Sequence, residues 1–401
     1  MAQSYRNSDP SPPAMAGARI PKVDWDRPPW NRWTFQHVSE MVPTAPIRRG
    51  GRVSPLAVAR GNLDDFTYAG PDGAQTSFAR MLDETYTDAM FVWKDGRVLH
   101  ESYHNGMDDR SLHLLQSVSK SITAAAAGCL IGDGLIDPMA PVTAHLPELA
   151  GTGWNGATLG QVLDMTSGTR FVEAYEERDS DMGIMDYACG WKPAPEGVDA
   201  AGWPICVWDQ ILGLEAVEAA HGARFAYRSV ETDVLAHAME RASGRRLAQI
   251  LSERIWQPMG AAEDANITVD SAGYGLASGG ISVTLRDMAR FGLMMLDDGR
   301  IAGRQVVPRA WCHDIRHGPH GLYDPTNYKD WPNGAYRNQF WVEDSQLGRH
   351  YCFGVFGQMV MIAPDTGMMA VKLSSWPDFV SPDLYRQTIA ALRAVEMAPL
   401  A

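Results

Sequence analysis

The chain has 401 residues, an apolar fraction of 45% and a formal net charge of −13 at neutral pH. An acidic chain without a basic stripe is not expected to bind nucleic acid or an anionic membrane surface, because both carry dense negative charge. The apolar runs are too short for a transmembrane helix, and the length suits two domains or one large domain with an insertion.

Residues 1–45 are predicted to form an N-terminal arm, loose or lying over the surface, because the opening segment is rich in Pro, Ser and Asn. It lacks the apolar core of a secretory signal, so cytoplasmic localisation is the default expectation. Five scattered cysteines without a CxxC pair indicate free thiols. The histidines at 313, 317 and 320 lie in a Gly/Pro loop without an HExxH motif, so no metal or other cofactor is predicted.

Two β-hairpins are predicted, one near each end of the chain. Residues 89–103 contain Asp95-Gly96, a favoured two-residue turn, between apolar strands. Near the C-terminus, strands over 355–363 and 368–374 flank a Pro-Asp-Thr-Gly turn. An amphipathic pattern over 383–397 predicts a helix after the second hairpin.

The middle of the chain is predicted to be mostly helical. Helical patterns cover 160–165 and 229–242, and an acidic stretch over 175–202 is predicted to be a long irregular loop of the kind that is often functional. We therefore expect an α/β domain formed by 46–130 and 277–401, with a mostly helical domain over 131–276 inserted into it. A site at the junction would suit a small ligand.

The clearest chemical signal is Ser117-Val118-Ser119-Lys120, which runs into an alanine-rich segment that predicts a buried helix. Residues three apart share a helix face, so Ser117 and Lys120 are expected to point the same way. Serine needs a neighbouring proton acceptor to act as a nucleophile, and lysine can serve only if burial lowers its pKa. Ser-x-x-Lys alone also arises by chance, so the motif needs further support.

Two other short elements follow in the same chain order: Tyr227-Arg228-Ser229 and Cys352-Phe353-Gly354-Val355. With Ser117-x-x-Lys120, this ordered set resembles the serine β-lactamase and penicillin-recognition superfamily. Within it the chain is most similar to the nylon-oligomer hydrolases, with matches such as HLLQSVSKS at 113–121 and VKLSSWPD at 371–378. The resemblance implies an α/β (α+β) fold of the serine β-lactamase type, with an antiparallel sheet flanked by helices and an inserted helical domain.

The resemblance also implies roles for individual residues. Ser117 matches the nucleophile, Lys120 the general base, and Tyr227 the tyrosine that exchanges protons with Lys120 and the leaving amine. The backbone N–H groups of Ser117 and Val355 match the oxyanion hole. Tyr175 matches a tyrosine on a loop that closes over the substrate amide.

Further matches concern the substrate pocket. Asp186 lies where highly active nylon-oligomer hydrolases have an aspartate facing the substrate ammonium, and Trp191 and Trp341 match aromatic walls. Each has a structural alternative, either as a solvated loop residue or as a packing residue. Ser278 stands where the family has Asn or His, and Phe356 stands where the nylon-oligomer hydrolases have His, so both are expected to alter the pocket.

Three functions stay open at this point. The first is a serine hydrolase that cleaves linear amides of the 6-aminohexanoate-oligomer type through an acyl-enzyme. The second is a carboxylesterase for short acyl esters, and the third is a penicillin-recognition-type binding protein that acylates and stalls. No basic residue occupies the family's Lys-Thr-Gly lysine position, which weighs against true β-lactamase activity. A small-molecule amide or ester is the expected partner, and the resemblance suggests a homodimer.

Overall fold

The computed structural model describes residues 19–59, 61–318 and 331–399; the first 18 residues of the predicted arm and His320 lie outside these ranges. The strands are β1 Thr44–Ile47, β2 Thr67–Ala69, β3 Gln75–Ser77, β4 Thr87–Lys94, β5 Arg97–Tyr103, β6 His113–Leu114, β7 Ala265–Thr268, β8 Ile281–Val283, β9 Arg300–Ile301, β10 Arg304–Gln305, β11 Ala335–Arg337, β12 Phe340–Asp344, β13 Arg349–Gly354, β14 Gln358–Ala363 and β15 Met368–Ser374. The helices are α1 Asn31–Thr34, α2 Val38–Met41, α3 Phe78–Glu84, α4 Val118–Gly132, α5 Leu159–Leu163, α6 Asp181–Ala188, α7 Val207–Gly213, α8 Val230–Ser243, α9 Leu247–Leu251, α10 Gln257–Met259, α11 Leu285–Leu296, α12 Arg309–His317 and α13 Pro382–Met397.

Seven antiparallel strands form the main sheet, in the order β11-β12-β13-β14-β15-β4-β5. The sheet unites the two predicted α/β segments, because β15 pairs along its length with β4. The hairpin predicted at 89–103 is confirmed as β4 and β5. Asp95 and Gly96 between them both have positive φ, which is the conformation that a two-residue turn of this kind requires.

Helices cover both faces of the sheet. Successive residues of its central strands point to opposite faces, so both faces carry side chains that pack against helices. On β15, Met369 and Val371 belong to the cluster that contains α11, whereas Met368 and Ala370 pack with α3 and α13. The helix predicted over 383–397 is confirmed as α13. Within the described ranges, no helix is both long enough and apolar enough to cross a membrane.

The alanine-rich helix α4 lies at the centre of the molecule, and residues 118–130 are all buried. Its small side chains allow β13, α8 and α9 to pack closely around it. The predicted buried helix is therefore confirmed. Because Ser117 immediately precedes α4, this buried helix fixes its position.

A second, four-stranded sheet in the order β1-β7-β8-β6 involves the described part of the predicted arm. Strand β1 pairs with β7, which is a strand inside the segment expected to be mostly helical. Trp25 and Phe35 are completely buried. Residues 19–45 are therefore packed into the protein rather than loose, because these aromatic rings contribute to the main core.

All five cysteines are free and buried.

Three local predictions need correction. His313 and His317 lie on α12 rather than in a loop. The sequence predicts an irregular loop over 175–202, but this stretch contains α6, whose first turn is capped by the Gly183 N–H donating to the Ser180 hydroxyl oxygen. The strand expected from residue 355 begins only at Gln358, after a 3-10 turn Val355–Gly357. Phe356 has φ 60° and Gly357 φ 88°, which no β-strand accommodates.

Candidate active site

Ser117 and Lys120 lie together at the start of α4. Lys120 Nζ is 2.8 Å from Ser117 Oγ, as the shared helix face predicted. The preceding residue, Gln116, has φ 50°, so the chain turns sharply before the helix begins. Ser117 borders a cavity, whereas Lys120 is buried behind it. This arrangement presents a serine hydroxyl to the cavity with an amine directly behind it.

Burial controls the charge of Lys120. Its pKa falls to about 8 because desolvation disfavours the ammonium, and the negative charges of Glu173 and Asp233 limit the fall. Lys120 Nζ also lies 2.7 Å from the carbonyl oxygen of Ser278. A substantial fraction of Lys120 is therefore neutral near pH 8 and able to accept a proton from Ser117.

Tyr227 stands beside this pair, on the segment that leads into α8. Its ring centre is 5.2 Å from Lys120 Nζ. Two other aromatic rings pack against Tyr227. Trp341 stacks on the Tyr227 ring with centroids 5.4 Å apart, and Tyr336 meets it edge-on with centroids 6.0 Å apart. Trp341 therefore influences the site by packing against the Tyr227 ring and holding it in place.

The end of β13 packs directly against the residues before Ser117. A Cβ atom added at Gly354 would lie 2.5 Å from the carbonyl oxygen of Leu115 and 3.1 Å from Gln116 Cβ. This close approach, which only glycine allows, brings the following residue, Val355, to the same cavity as Ser117. The backbone N–H groups of Val355 and Ser117 are thus candidates for an oxyanion hole.

Replacing Gly354 with alanine is expected to lower kcat by about 100-fold, the effect of losing one oxyanion donor. The added methyl group collides with backbone, so the end of β13 must shift and carry the Val355 N–H with it. Gly51→Ala is the matched control, because nothing lies within 4 Å of the added carbon. Steady-state kinetics on an activated ester measure both; normal activity in Gly354→Ala would contradict this role for the strand end.

The cavity in front of Ser117 has a volume of about 40 Å³. Of the pocket residues expected from the sequence, Tyr175, Asp186, Trp191, Ser278 and Phe356 border it. Tyr175 stacks on Phe379 with centroids 5.3 Å apart, and Phe379 also packs on Phe356 at 4.7 Å. These rings border the cavity and keep it narrow.

Two acidic residues of the site were missed in the sequence. The Glu173 carboxylate accepts hydrogen bonds from the Tyr175 hydroxyl at 2.8 Å and from the backbone N–H of Ser229 at 2.8 Å. Asp233 accepts the Ala277 N–H at 2.8 Å, and burial raises its pKa to about 7. The sequence does offer a signal for Asp233, which lies four residues after Ser229 in a helical pattern. It offers no comparable signal for Glu173.

Asp186 is paired within the chain. Lys192 Nζ lies 3.4 Å from Asp186 Oδ2 and 2.7 Å from Asp26 Oδ2. Burial raises the pKa of Asp186 to about 6, although Lys192 opposes this. Burial alone would lower the pKa of Lys192, but Asp186 and Asp26 outweigh it and the net pKa is raised. Asp26 also was not singled out in the sequence.

Among the described residues, no group of three His, Cys, Asp or Glu side chains is arranged to hold a metal ion. The chemistry that the site can perform with its own groups is acyl transfer to a serine. Ser117 and Val355, which carry the nucleophile and the two candidate oxyanion donors, border one cavity, with the amine of lowered pKa directly behind Ser117 and Tyr227 beside that amine.

Comparison with known proteins agrees with this constellation. The family model described as Beta-lactamase matches residues 78–394. The chain belongs to the Beta-lactamase family. This establishes the fold expected from the sequence, and it accounts for the antiparallel sheet flanked by helices.

Individual relatives extend the comparison. This Beta-lactamase family member is 38% identical over 368 residues to 6-aminohexanoate-dimer hydrolase of Paenarthrobacter ureafaciens, covering 90% of both chains. A solved structure from Bacillus anthracis, provisionally named a 6-aminohexanoate-dimer hydrolase, has a TM-score of 0.86 and 26% identity over 94% of this chain and 96% of its own. A family VIII carboxylesterase shares the fold at a TM-score of 0.57, with 15% identity over 78% of this chain and 93% of its own.

These findings identify the chain as an enzyme of the serine hydrolase class. They also confirm the resemblance to the nylon-oligomer hydrolases that was read from short motifs. A hydrolase of this kind acts on a small-molecule substrate.

Proposed function

We propose that the enzyme hydrolyses linear amides of the 6-aminohexanoate-oligomer type through an acyl-enzyme on Ser117. Neutral Lys120 accepts the hydroxyl proton while Ser117 Oγ attacks the amide carbonyl. The N–H groups of Ser117 and Val355 stabilise the oxyanion, an interaction worth about 3–4 kcal/mol per donor in comparable sites. Tyr227 relays the proton from Lys120 to the leaving amine, and water then hydrolyses the acyl ester.

One observation carries this proposal: the amine of a fully buried lysine lies 2.8 Å from Ser117 Oγ. A buried lysine is unfavourable in a protein core unless its charge is compensated or it has a chemical task. Its lowered pKa suits proton abstraction near neutral pH. The amide substrate is suggested by the 38% identical relative that is named 6-aminohexanoate-dimer hydrolase.

In this proposal the pocket residues have different roles in binding the substrate. Tyr175 closes over the scissile amide, and Asp186 faces a terminal ammonium. Trp191, Ser278 and Phe356 form the walls, and Trp341 acts by supporting Tyr227. Because the cavity is narrow, we expect the stacked rings of Tyr175 and Phe379 to move outward when a six-carbon acyl chain binds.

Replacing Tyr227 with phenylalanine tests the proton relay, because it keeps the ring stacked on Trp341 and removes only the hydroxyl. We expect kcat for the 6-aminohexanoate linear dimer to fall about 100- to 10,000-fold, the usual contribution of general acid catalysis. Hydrolysis of p-nitrophenyl acetate is expected to fall much less, since p-nitrophenolate leaves without a proton.

Tyr336→Phe is the matched control, since it removes a hydroxyl from the same aromatic cluster. It is expected to leave the ratio of amide to ester rates unchanged. If Tyr227→Phe lowers both rates equally, Tyr227 does not protonate the leaving amine. If the wild type hydrolyses neither substrate, the proposed function is wrong.

A second candidate is a carboxylesterase for short-chain acyl esters, with little amidase activity. The cavity volume favours it, because an acetyl group needs far less movement of the walls than a six-carbon chain. Turnover of p-nitrophenyl acetate without turnover of the linear dimer would decide for this candidate. The cytoplasmic location and the homodimer stay predictions from the sequence.

A further inference from the structure

One end of the active-site cavity carries three charged side chains from distant parts of the chain. Asp26 precedes α1, Asp186 lies on α6 and Lys192 follows α6. Lys192 Nζ contacts Asp26 Oδ2 at 2.7 Å and Asp186 Oδ2 at 3.4 Å, and both carboxylates border the cavity. Lys192 and Asp26 are buried, and Asp186 exposes 16% of its side chain.

The charges of this cluster do not balance. Two carboxylates against one ammonium leave a net charge of −1 when all three are ionised. Two further cations lie nearby. Arg27 pairs with Glu176 and lies over the Phe379 ring, so it brings its own counterion. Arg178 donates to the Pro193 carbonyl and acts on Asp186 more weakly than Lys192 does. Asp26 Oδ1 is buried and has no hydrogen-bond partner among the described residues.

A buried carboxylate oxygen is unfavourable without a donor, and this one belongs to a residue on the cavity wall. A ligand with an ammonium group would supply both the donor and the absent positive charge. A carboxylate-terminated ligand would instead face two like charges at close range. An uncharged alkyl group would leave Asp26 Oδ1 unpaired.

We propose that Asp26 and Asp186 together bind a primary ammonium group at the end of the substrate's acyl chain, with Lys192 holding the two carboxylates side by side. Asp26 is then a specificity-determining residue supplied by the segment before α1. The proposal rests on the proposed function, because it concerns the acyl group that Ser117 receives. It extends the role of Asp186 to a second carboxylate that is remote in sequence.

The test separates ammonium recognition from turnover of amides. Hydrolysis of p-nitrophenyl butyrate is inhibited in parallel with n-pentylammonium and n-pentanol, which are similar in length and differ in charge. We expect the wild type to bind pentylammonium at least about tenfold more tightly than pentanol, and Asp26→Asn to reduce this preference about tenfold. Asp179→Asn makes the same charge change at an exposed position and is expected to leave the preference unaltered.

Asp186→Asn provides a second, independent variant. It leaves the buried Asp26–Lys192 pair in place and changes the net charge of the cluster from −1 to 0, so the preference for pentylammonium should fall here too. An unchanged or higher preference in either variant would overturn the proposal. If Asp26→Asn does not fold, the Asp186→Asn result decides.

Absence of ester hydrolysis in the wild type would contradict the proposed function rather than the subsite. In that case the affinities of the two ligands are measured directly by calorimetric titration. The same difference between wild type and variants then supports or overturns the ammonium site.

Discussion

Replacing Ser117 with alanine is expected to lower kcat/KM for amides and esters by at least about 10⁴-fold, as loss of the nucleophile does in other serine hydrolases. Without Oγ there is no atom to carry the acyl group, and Lys120 has no hydroxyl to deprotonate. The variant should also lose labelling by a fluorophosphonate reagent. Intact-protein mass spectrometry measures the covalent adduct, and steady-state assays measure the rates.

Ser121→Ala is the control on the same helix, since its hydroxyl bonds to the Gln339 carbonyl at 2.7 Å, away from the cavity. It should keep both labelling and turnover. Undiminished labelling of Ser117→Ala would show that another residue is the nucleophile. A wild-type adduct that persists after incubation with substrate would favour the binding protein that acylates and stalls.

Replacing Lys120 with methionine is expected to abolish activity and yet raise the melting temperature by a few degrees at pH 7. The methionine side chain has a similar length and no charge, so it fills the site without the desolvation that burial imposes on Lys120. Catalytic residues in active sites commonly lower the stability of the folded protein in this way. Differential scanning calorimetry and ester hydrolysis measure the two effects.

The pH dependence of this stability difference follows from the direction of the pKa shift. Because the pKa of Lys120 is about 8 in the folded protein and 10.5 for an ordinary exposed lysine, the unfolded chain binds more protons between these values. The destabilisation is therefore complete below about pH 8 and decreases as pH rises toward 10.5. The advantage of Lys120→Met should shrink over the same window, while wild-type activity rises as Lys120 loses its proton.

Lys372→Met is the matched control. Lys372 is also fully buried, and desolvation lowers its pKa to about 7, but its amine donates to the Thr85 carbonyl and to the Ser374 hydroxyl, neither of which borders the cavity. This variant should retain activity. Equal loss of activity in both variants, or a lower melting temperature for Lys120→Met at pH 7, would contradict the assigned role.

The parts of the site that could be predicted are those encoded by short-range spacing. Ser117 and Lys120 meet because residues three apart share a helix face, and Asp95-Gly96 forms its turn because both residues tolerate positive φ. These features need only neighbouring residues to be specified. The alanine-rich composition of α4 likewise predicted burial, because such a helix has no polar face to expose.

The parts that escaped prediction depend on long-range burial. Glu173, Asp26 and Lys192 lie in charged or polar stretches, where a sequence pattern indicates solvent exposure. Only the folded chain removes them from water and makes them partners of the cavity. The sequence predicts strand at Val355–Gly357, where the structure has a turn, because a phenylalanine gives no local signal for φ 60°.

The packing of the segment before α1 has a consequence for the modularity of this enzyme. The region that matches the family begins at residue 78, yet the Trp25 indole donates a hydrogen bond to the Trp191 carbonyl at 3.0 Å, and β1 forms an edge of the second sheet. A chain cut or recombined at the family boundary would keep Ser117, Lys120 and Tyr227 but lose Asp26. Because Trp25 and Phe35 also belong to the main core, such a change would remove core packing together with the proposed ammonium contact.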